Sequence, residues 1–275
     1  MSLARDKYNP KRLFSYINSR QSTRVGISTI NSPDGEAQTN SKSIADVLNG
    51  HFASMFSRES EDEILTNFEL RSSMPNTLDE IKIDQIDVKK KLQLLNKHKA
   101  TGVDEISSYV LSECAEGFPI PLTILFNMSL NQAAVPSAWR EANVTPIYKK
   151  GSRLDPSNYR PVSLTSVICR VLESIIRDNI MYHLTSNNLI VDQQHGFVPK
   201  RGCLTKSIEF VDFATNNLHH KTPTDIVFLD FSKAFDKVSH RRLLLKLESY
   251  GIKGQTLLSY RIEIYQLSYR IENNE

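Results

Sequence analysis

Residues 166–184 leave the chain little choice. Val167, Ile168, Val171, Leu172, Ile175, Ile176, Ile180, Met181 and Leu184 recur three and four positions apart, the spacing of one continuous apolar stripe on a helix. Such a stripe must be covered, so the chain has to build a core around it. A chain of 275 residues has the means: it can bury roughly three quarters of its unfolded surface without disulfides or metals. The length fits one large domain or two small ones. Glu173 and Arg177 stand four apart and are expected to pair on the outer face of this helix.

Shorter patterns flank it. Ile44, Val47, Leu48, Phe52, Met55 and Phe56 predict a helix after Ser41, with Ser41 as its N-cap. Val88, Leu92 and Leu95 predict a second after Asp84. A third, from about Pro121 to Ala134, carries Leu122, Leu125, Met128 and Leu130 and stops before Pro136. Further helices are predicted over 204–218 and from His240 to Tyr250, the last closed by Gly251. Ala142–Tyr148 and the run from Tyr159 to Leu164 are β-prone and enclose the turn-like KKGSRLDPSN, which predicts a β-ribbon. Pro146 and Pro161 restrict both strands to edges. Asp225–Phe231, DIVFLDF, is apolar enough for a buried central strand. The mixture makes the class α/β or α+β.

Composition excludes other classes. No apolar run is long enough to span a bilayer, and the first residues hold no apolar signal core, so no membrane partner is expected. Cys114, Cys169 and Cys203 are scattered, without a CxxC pair or a zinc spacing, which suits reduced thiols in an intracellular setting, nucleus or cytoplasm. The net charge of +3 is compatible with nucleic acid without requiring it. Residues 1–25 are locally basic, Arg5, Lys7, Lys11, Arg12, Arg20 and Arg24 against Asp6. They read as a basic arm or as a solvated tail.

Two groups of residues suggest chemistry. Asp230 closes the predicted strand. A carboxylate fixed there, with the next backbone carbonyl turned to the same point, offers the hard oxygens that Mg²⁺ prefers; the same side chain could equally cap the following turn. Lys149, Lys150, Arg153 and Arg160 surround the ribbon turn. Arginine's fork suits phosphate oxygens, and a solvated turn is the plain alternative.

Several blocks, in order, resemble reverse transcriptases of non-LTR (LINE-type, jockey-like) retrotransposons. VFLDFSKAFDKVSH resembles motif A, ANVTPIYKKGSRLDPSNYRPVSLTSVICRVLESII the fingers, and VDQQHGFVPKRGCLTKSIEF the motif that follows. KHKATGVDEISSYVL is similar to a more N-terminal block, and LNGHFASMF to the segment joining endonuclease to polymerase. The resemblance covers about residues 40–255. It implies RNA-templated DNA synthesis with two Mg²⁺ ions, an RNA template, a DNA primer and deoxynucleotides. By this resemblance Asp230 is the catalytic, metal-binding aspartate and the Phe231 backbone carbonyl a second ligand. Phe235 is the gate against a ribose 2′-OH. Lys149, Lys150 and Arg160 face the incoming triphosphate, and Arg153, Lys200 and Arg201 contact nucleic acid. Asp236 and His240 occupy family positions with a structural role. Val198 and Gly202 depart from the usual Arg and Ser.

The implied architecture is a partial right-hand polymerase: helix-rich fingers plus the first palm strand, truncated before the Tyr-x-Asp-Asp hairpin and thumb. The sequence holds no Asp-Asp pair, and LSYRIE occurs twice, from Leu258 and from Leu267. The expected organisation is a basic arm over 1–40, a helical extension over 41–135, fingers and the start of the palm over 136–258, and an aberrant tail over 259–275. The expected function is a polymerase fragment inactive alone. A non-catalytic nucleic-acid-binding remnant and a translated relic without a selected role stand beside it.

Overall fold

The structure is a computed structural model and describes residues 26–56 and 76–257. The expectations for the basic arm before Val25 and for the LSYRIE repeat lie outside the described residues. A two-residue hairpin pairs β1 (Ile30–Asn31) antiparallel with β2 (Ala37–Gln38), Ile30 opposite Gln38. Helices α1 (Ser41–Ala53), α2 (Gln85–Gln93), α3 (Ser108–Glu113) and α4 (Pro119–Gln132) follow. β3 (Ala142–Tyr148) and β4 (Tyr159–Thr165) form a second two-stranded sheet. Helices α5 (Val167–Ser186), α6 (Cys203–His219) and α7 (His240–Ser249) follow. The fold is thus mixed helix and small sheet.

The chain divides into two compact units: residues up to 54 with 146–162, and the remainder. In the first, α1 turns Ile44, Leu48 and Phe52 inward, and Ile30 and Tyr159 are buried with them. Asn31 N–H donates to the Leu154 carbonyl at 2.8 Å, tying β1 to the ribbon turn.

The second unit realises the stripe of residues 166–184. Val167, Val171, Leu172, Ile175 and Ile176 of α5 are buried in one cluster with Val88 and Leu92 of α2, Leu111 of α3 and Phe126 of α4. Each fully buried side chain of this kind stabilises the fold by about 1.5–3 kcal/mol. Phe126 meets Trp139 edge to face, the ring centroids 5.9 Å apart. Side chains begin the helices, as the orphan N–H groups of a first turn require: Asp84 accepts from the Asp87 N–H at 2.8 Å and Ser107 from the Tyr109 N–H at 3.1 Å. Asn127 acts as a polar clip, accepting from the Ile83 N–H at 3.1 Å and donating to the Ile83 carbonyl at 2.8 Å. Gly102 lies flush on the start of α5; a Cβ there would stand 2.5 Å from the Thr165 carbonyl. At the far end His183 Nε2 sits 2.8 Å from the Tyr250 carbonyl, just before Gly251, whose φ of 81° closes α7.

The predicted helices and the ribbon are present, and Pro146 and Pro161 fall in a two-stranded sheet where each strand keeps a free edge. Three expectations are corrected. The N-cap of α1 is Asn40, whose Oδ1 accepts from the Lys42 N–H at 2.9 Å, because Ser41 is already helical. Glu173 and Arg177 do not pair: Glu173 accepts from the Cys169 thiol, while Arg177 turns to the nearer Asp178, its Nη2 2.8 Å from Oδ1. The largest correction is Asp225–Phe231, which is not a buried strand. It is irregular and exposed, and among the described residues no backbone hydrogen bond joins it to another segment. A sheet strand exists only with a neighbour, and no described strand lies beside this one.

Candidate functional site

The ribbon turn between β3 and β4 is built to hold its basic side chains outward. Lys149 N–H donates to the Asn158 carbonyl at 2.8 Å and closes the hairpin. Gly151 follows at φ 94°, in the left-handed region, with the Asn158 amide so close that a Cβ would stand 2.7 Å from its nitrogen. Asp155 accepts from the Ser157 N–H at 2.8 Å, and the Ser157 hydroxyl and N–H hold its carboxyl below the usual carboxylate range. Tyr159 is buried and donates its hydroxyl to the Arg153 carbonyl at 2.7 Å; burial pushes its phenol up. The Arg153 guanidinium lies 4.6 Å over the Tyr148 ring, a cation–π contact that orients it. Lys149, Lys150 and Arg160 are exposed, and none pairs with a carboxylate among the described residues. Four cations around one turn, none of them paired with a carboxylate among the described residues, form a surface suited to phosphates.

The loop ahead of α6 treats its basic residues differently. Arg201 folds back on the loop, its Nη2 3.1 Å from the Asp192 carboxylate and its Nη1 bonded to the Asp192 and Gln194 carbonyls. Lys200 is exposed at a φ of 63°. His195 is held from both sides, Nδ1 at 2.8 Å from the Thr205 hydroxyl and Nε2 at 2.7 Å from the Glu209 carboxylate. Lys206, with His195, keeps the Glu209 carboxyl below its ordinary range.

Asp230 and Phe231 lie on the exposed segment 225–231, and Phe235 follows in a turn. Phe235 meets Phe197 edge to face at 5.9 Å. Asp236 is half-buried in the same turn, and His240 begins α7 behind the Ser239 N-cap. Asp230 has no ion-pair partner among the described residues, where no three His, Cys, Asp or Glu side chains converge on a point that could hold a metal. One exposed carboxylate is too small a donor set for Mg²⁺, so the described residues do not by themselves fit the ion.

The sequence patterns missed three arrangements. The His195–Thr205–Glu209 contact joins residues 10 and 14 apart across a loop, and no periodicity marks it. The close approach of Gly102 to Thr165 could not be read from one glycine. Between α2 and α5 runs a cleft of about 770 Å³, floored by Leu95, Val171 and Ile180 and edged by Lys91, Lys99, Arg170 and Arg177. Its charges are largely used at home: Lys91 and Arg177 both bond Asp178, and Arg170 donates to the Ala100 carbonyl.

Comparison with known proteins gives this geometry its context. Residues 147–275 match the family described as reverse transcriptase (RNA-dependent DNA polymerase), a match that begins inside the ribbon. The chain is 24% identical over 258 residues to the probable RNA-directed DNA polymerase from transposon BS of Drosophila melanogaster, covering 89% of this chain and 28% of that protein. It is 30% identical over 164 residues to the RNA-directed DNA polymerase from mobile element jockey of Drosophila funebris, covering 59% of this chain and 18% of the relative. A Pol polyprotein from the R2 element of Popillia japonica is 28% identical over 129 residues, 47% of this chain and 18% of its own length. The chain therefore spans from just under a fifth to just over a quarter of the length of these relatives.

Proposed function

Since the chain carries part of a reverse transcriptase domain of the non-LTR transposon kind, we propose that it forms the fingers and the first palm segment of such a polymerase, and that its basic ribbon holds polyphosphate or nucleic-acid backbone. The observation that carries this reading is the ribbon turn, where Lys149, Lys150 and Arg160 are exposed and without carboxylate partners inside the matched region. The reaction assigned to the whole domain is RNA-templated DNA synthesis from a primer 3′-OH, with an RNA template, a DNA primer and deoxynucleotides as partners. In it the Asp230 carboxylate and the Phe231 carbonyl are the oxygens this segment would offer to a divalent ion, a donor set that needs further carboxylates to hold one. Phe235 would stand at the sugar, and Arg153 and Lys200 along the template. Arg201 supports the loop that carries Lys200, through Asp192.

These 275 residues alone do not extend a primer on this reading, because chemistry of this type uses carboxylates from two strands and the sequence contains no Asp-Asp pair. A second reading, nucleic-acid binding without chemistry, is favoured by the same contrast between a complete basic turn and a lone Asp230.

A salt titration of single-stranded RNA binding tests the ribbon assignment. Four to six neutralised phosphates give a log–log slope of about −3 to −4 at roughly −0.7 per contact. Replacing Lys149 and Lys150 by Ala should make the slope shallower by about 1 to 1.5. A double variant that binds as tightly as the parent at every salt concentration removes the ribbon from the binding surface. Primer extension separates the two readings of the whole chain: incorporation of deoxynucleotides that Asp230→Ala abolishes would show a complete active site and overturn the inactivity assigned here.

A further inference from the structure

The ribbon turn is exposed from Lys149 to Asp155, so packing does not shape it. One half-buried residue ties it across instead. The Asn158 carbonyl accepts from the Lys149 N–H at 2.8 Å, its side-chain amide donates to the Ser152 carbonyl at 3.0 Å, and its own N–H donates to the Asp155 carbonyl at 3.1 Å. We infer that Asn158 is the positioning residue of the basic turn: it touches no phosphate itself and acts by fixing where Lys149 and Lys150 present their charges. The inference rests on the reading of the ribbon as a phosphate-binding surface, and names the residue on which that surface depends.

Three observations carry it. First, the bonds bracket the cations. Lys149 and Ser152 stand on either side of the Lys150–Gly151 step, and both are bonded to Asn158. A four-residue stretch pinned at both ends has few backbone states left in which to carry its two lysines. Second, Gly151 is fitted to this side chain. A Cβ at Gly151 would stand 2.7, 2.8 and 2.9 Å from the Asn158 Nδ2, Oδ1 and Cγ, so the amide packs directly on the turn backbone. Third, the other supports hold single points. The Tyr148 hydroxyl donates to the Gly151 carbonyl at 2.5 Å and the Tyr159 hydroxyl to the Arg153 carbonyl at 2.7 Å. Neither spans the turn as Asn158 does. A lysine that docks on a phosphate loses side-chain freedom in any case. With the backbone already fixed, that is the only ordering left; a loose turn would add its own.

Single-stranded RNA binding by the full chain, titrated with salt, is compared for the parent, Asn158→Ala, the double variant Lys149→Ala with Lys150→Ala, and the triple variant. Asn158→Ala removes no charge, yet should bind about 3- to 10-fold more weakly, the ordering cost of a flexible side chain. Its log–log slope should be shallower by about 0.7, one phosphate contact. In the double-lysine background the same substitution should have no further effect, because the residues it positions are gone. The local readout is the NMR order parameter of Lys150 and Gly151 in the free protein. Asn158→Ala should lower it from about 0.85 toward 0.6 while the thermal melt is unchanged. Asn158→Ala binding as tightly as the parent, a full additional loss in the double-lysine background, or unchanged order parameters would each overturn the inference alone. A double-lysine variant that binds as tightly as the parent would overturn the ribbon reading and this inference with it.

Discussion

Helix α5 and the segment 225–231 both carry strongly apolar runs, yet one is the centre of a core and the other lies open. Val171 and Ile175 are about 2% exposed, Phe228 and Leu229 more than 80%. The difference is not hydrophobicity. A helix satisfies its own backbone and asks its neighbours only for a face, and α2, α3 and α4 supply that face from the residues before it. A central strand asks for neighbours twice, to pair its backbone and to cover both sides. Neither demand on 225–231 is met by the described residues. The comparison says that local apolarity decides where burial is wanted, and the availability of partners decides where it happens.

The sharpest way to break that comparison is to shorten one aromatic in each region. Phe126→Ala opens a cavity beside Trp139 in the α5 core and should cost about 3–5 kcal/mol. Phe231→Ala removes a ring that already faces water and should shift unfolding by less than about 0.5 kcal/mol. Urea unfolding of dilute protein measures both. Equal losses would mean that 225–231 is packed after all.

A smaller effect tests how tightly the α5 core is closed at its N-terminal end. Gly102→Ala drives a methyl group into the Thr165 carbonyl and the Ser166 N–H, 2.5 and 2.6 Å from the added carbon. Backbone cannot turn aside as a side chain can, so the substitution should cost about 1–3 kcal/mol, as overpacking does. A melt unchanged by this methyl group would mean that residues 100–102 do not seat on α5.

What could be read in advance follows the same division. The helices were legible because periodicity and capping are local: the α5 stripe and the Gly251 stop both sit within a turn or two of the signal they carry. The ribbon was legible for the same reason, from two β-prone runs around a glycine turn. The status of 225–231 was not, because seven apolar residues look alike whether neighbours exist or not. At the candidate site, Lys149, Lys150, Arg153 and Arg160 could be grouped from a twelve-residue window. The Arg201–Asp192 clasp and the cradle of His195 depend on how a loop folds back, which no spacing records.

Next in size is a charge effect on the outer side of α5. Asp178 is partly desolvated, which raises its carboxyl pKa, but hydrogen bonds from Lys91 and Arg177 outweigh this and hold it below the usual range. A carboxyl lowered in the folded state adds stability above its unfolded value, about 3.9, and loses it as pH falls through the folded one. The side chain is about half exposed, so solvent screening limits the contribution to at most about 1 kcal/mol. Asp178→Asn should therefore be the less stable protein at pH 7, and the gap should close on acidification below about pH 4. A gap that stays constant down to pH 2 would assign the loss to packing instead of charge.

The smallest expected effect is at the residue with the most chemical promise. Asp230 is exposed and unpaired among the described residues, flanked by Leu229 and Phe231, which are equally open. A carboxylate that neither pairs nor caps gives the fold nothing to lose, so Asp230→Asn should leave the urea midpoint within about 0.5 kcal/mol of the parent. It should also leave the salt slope of RNA binding unchanged, since that slope counts phosphates neutralised by Lys and Arg. If instead Asp230 sat at the end of a paired central strand beside a second carboxylate, removing one of two facing charges would stabilise the protein measurably, as relief of like-charge repulsion does. A clear gain in stability on Asp230→Asn would thus place a second carboxylate against it and return 225–231 to the same buried category as α5.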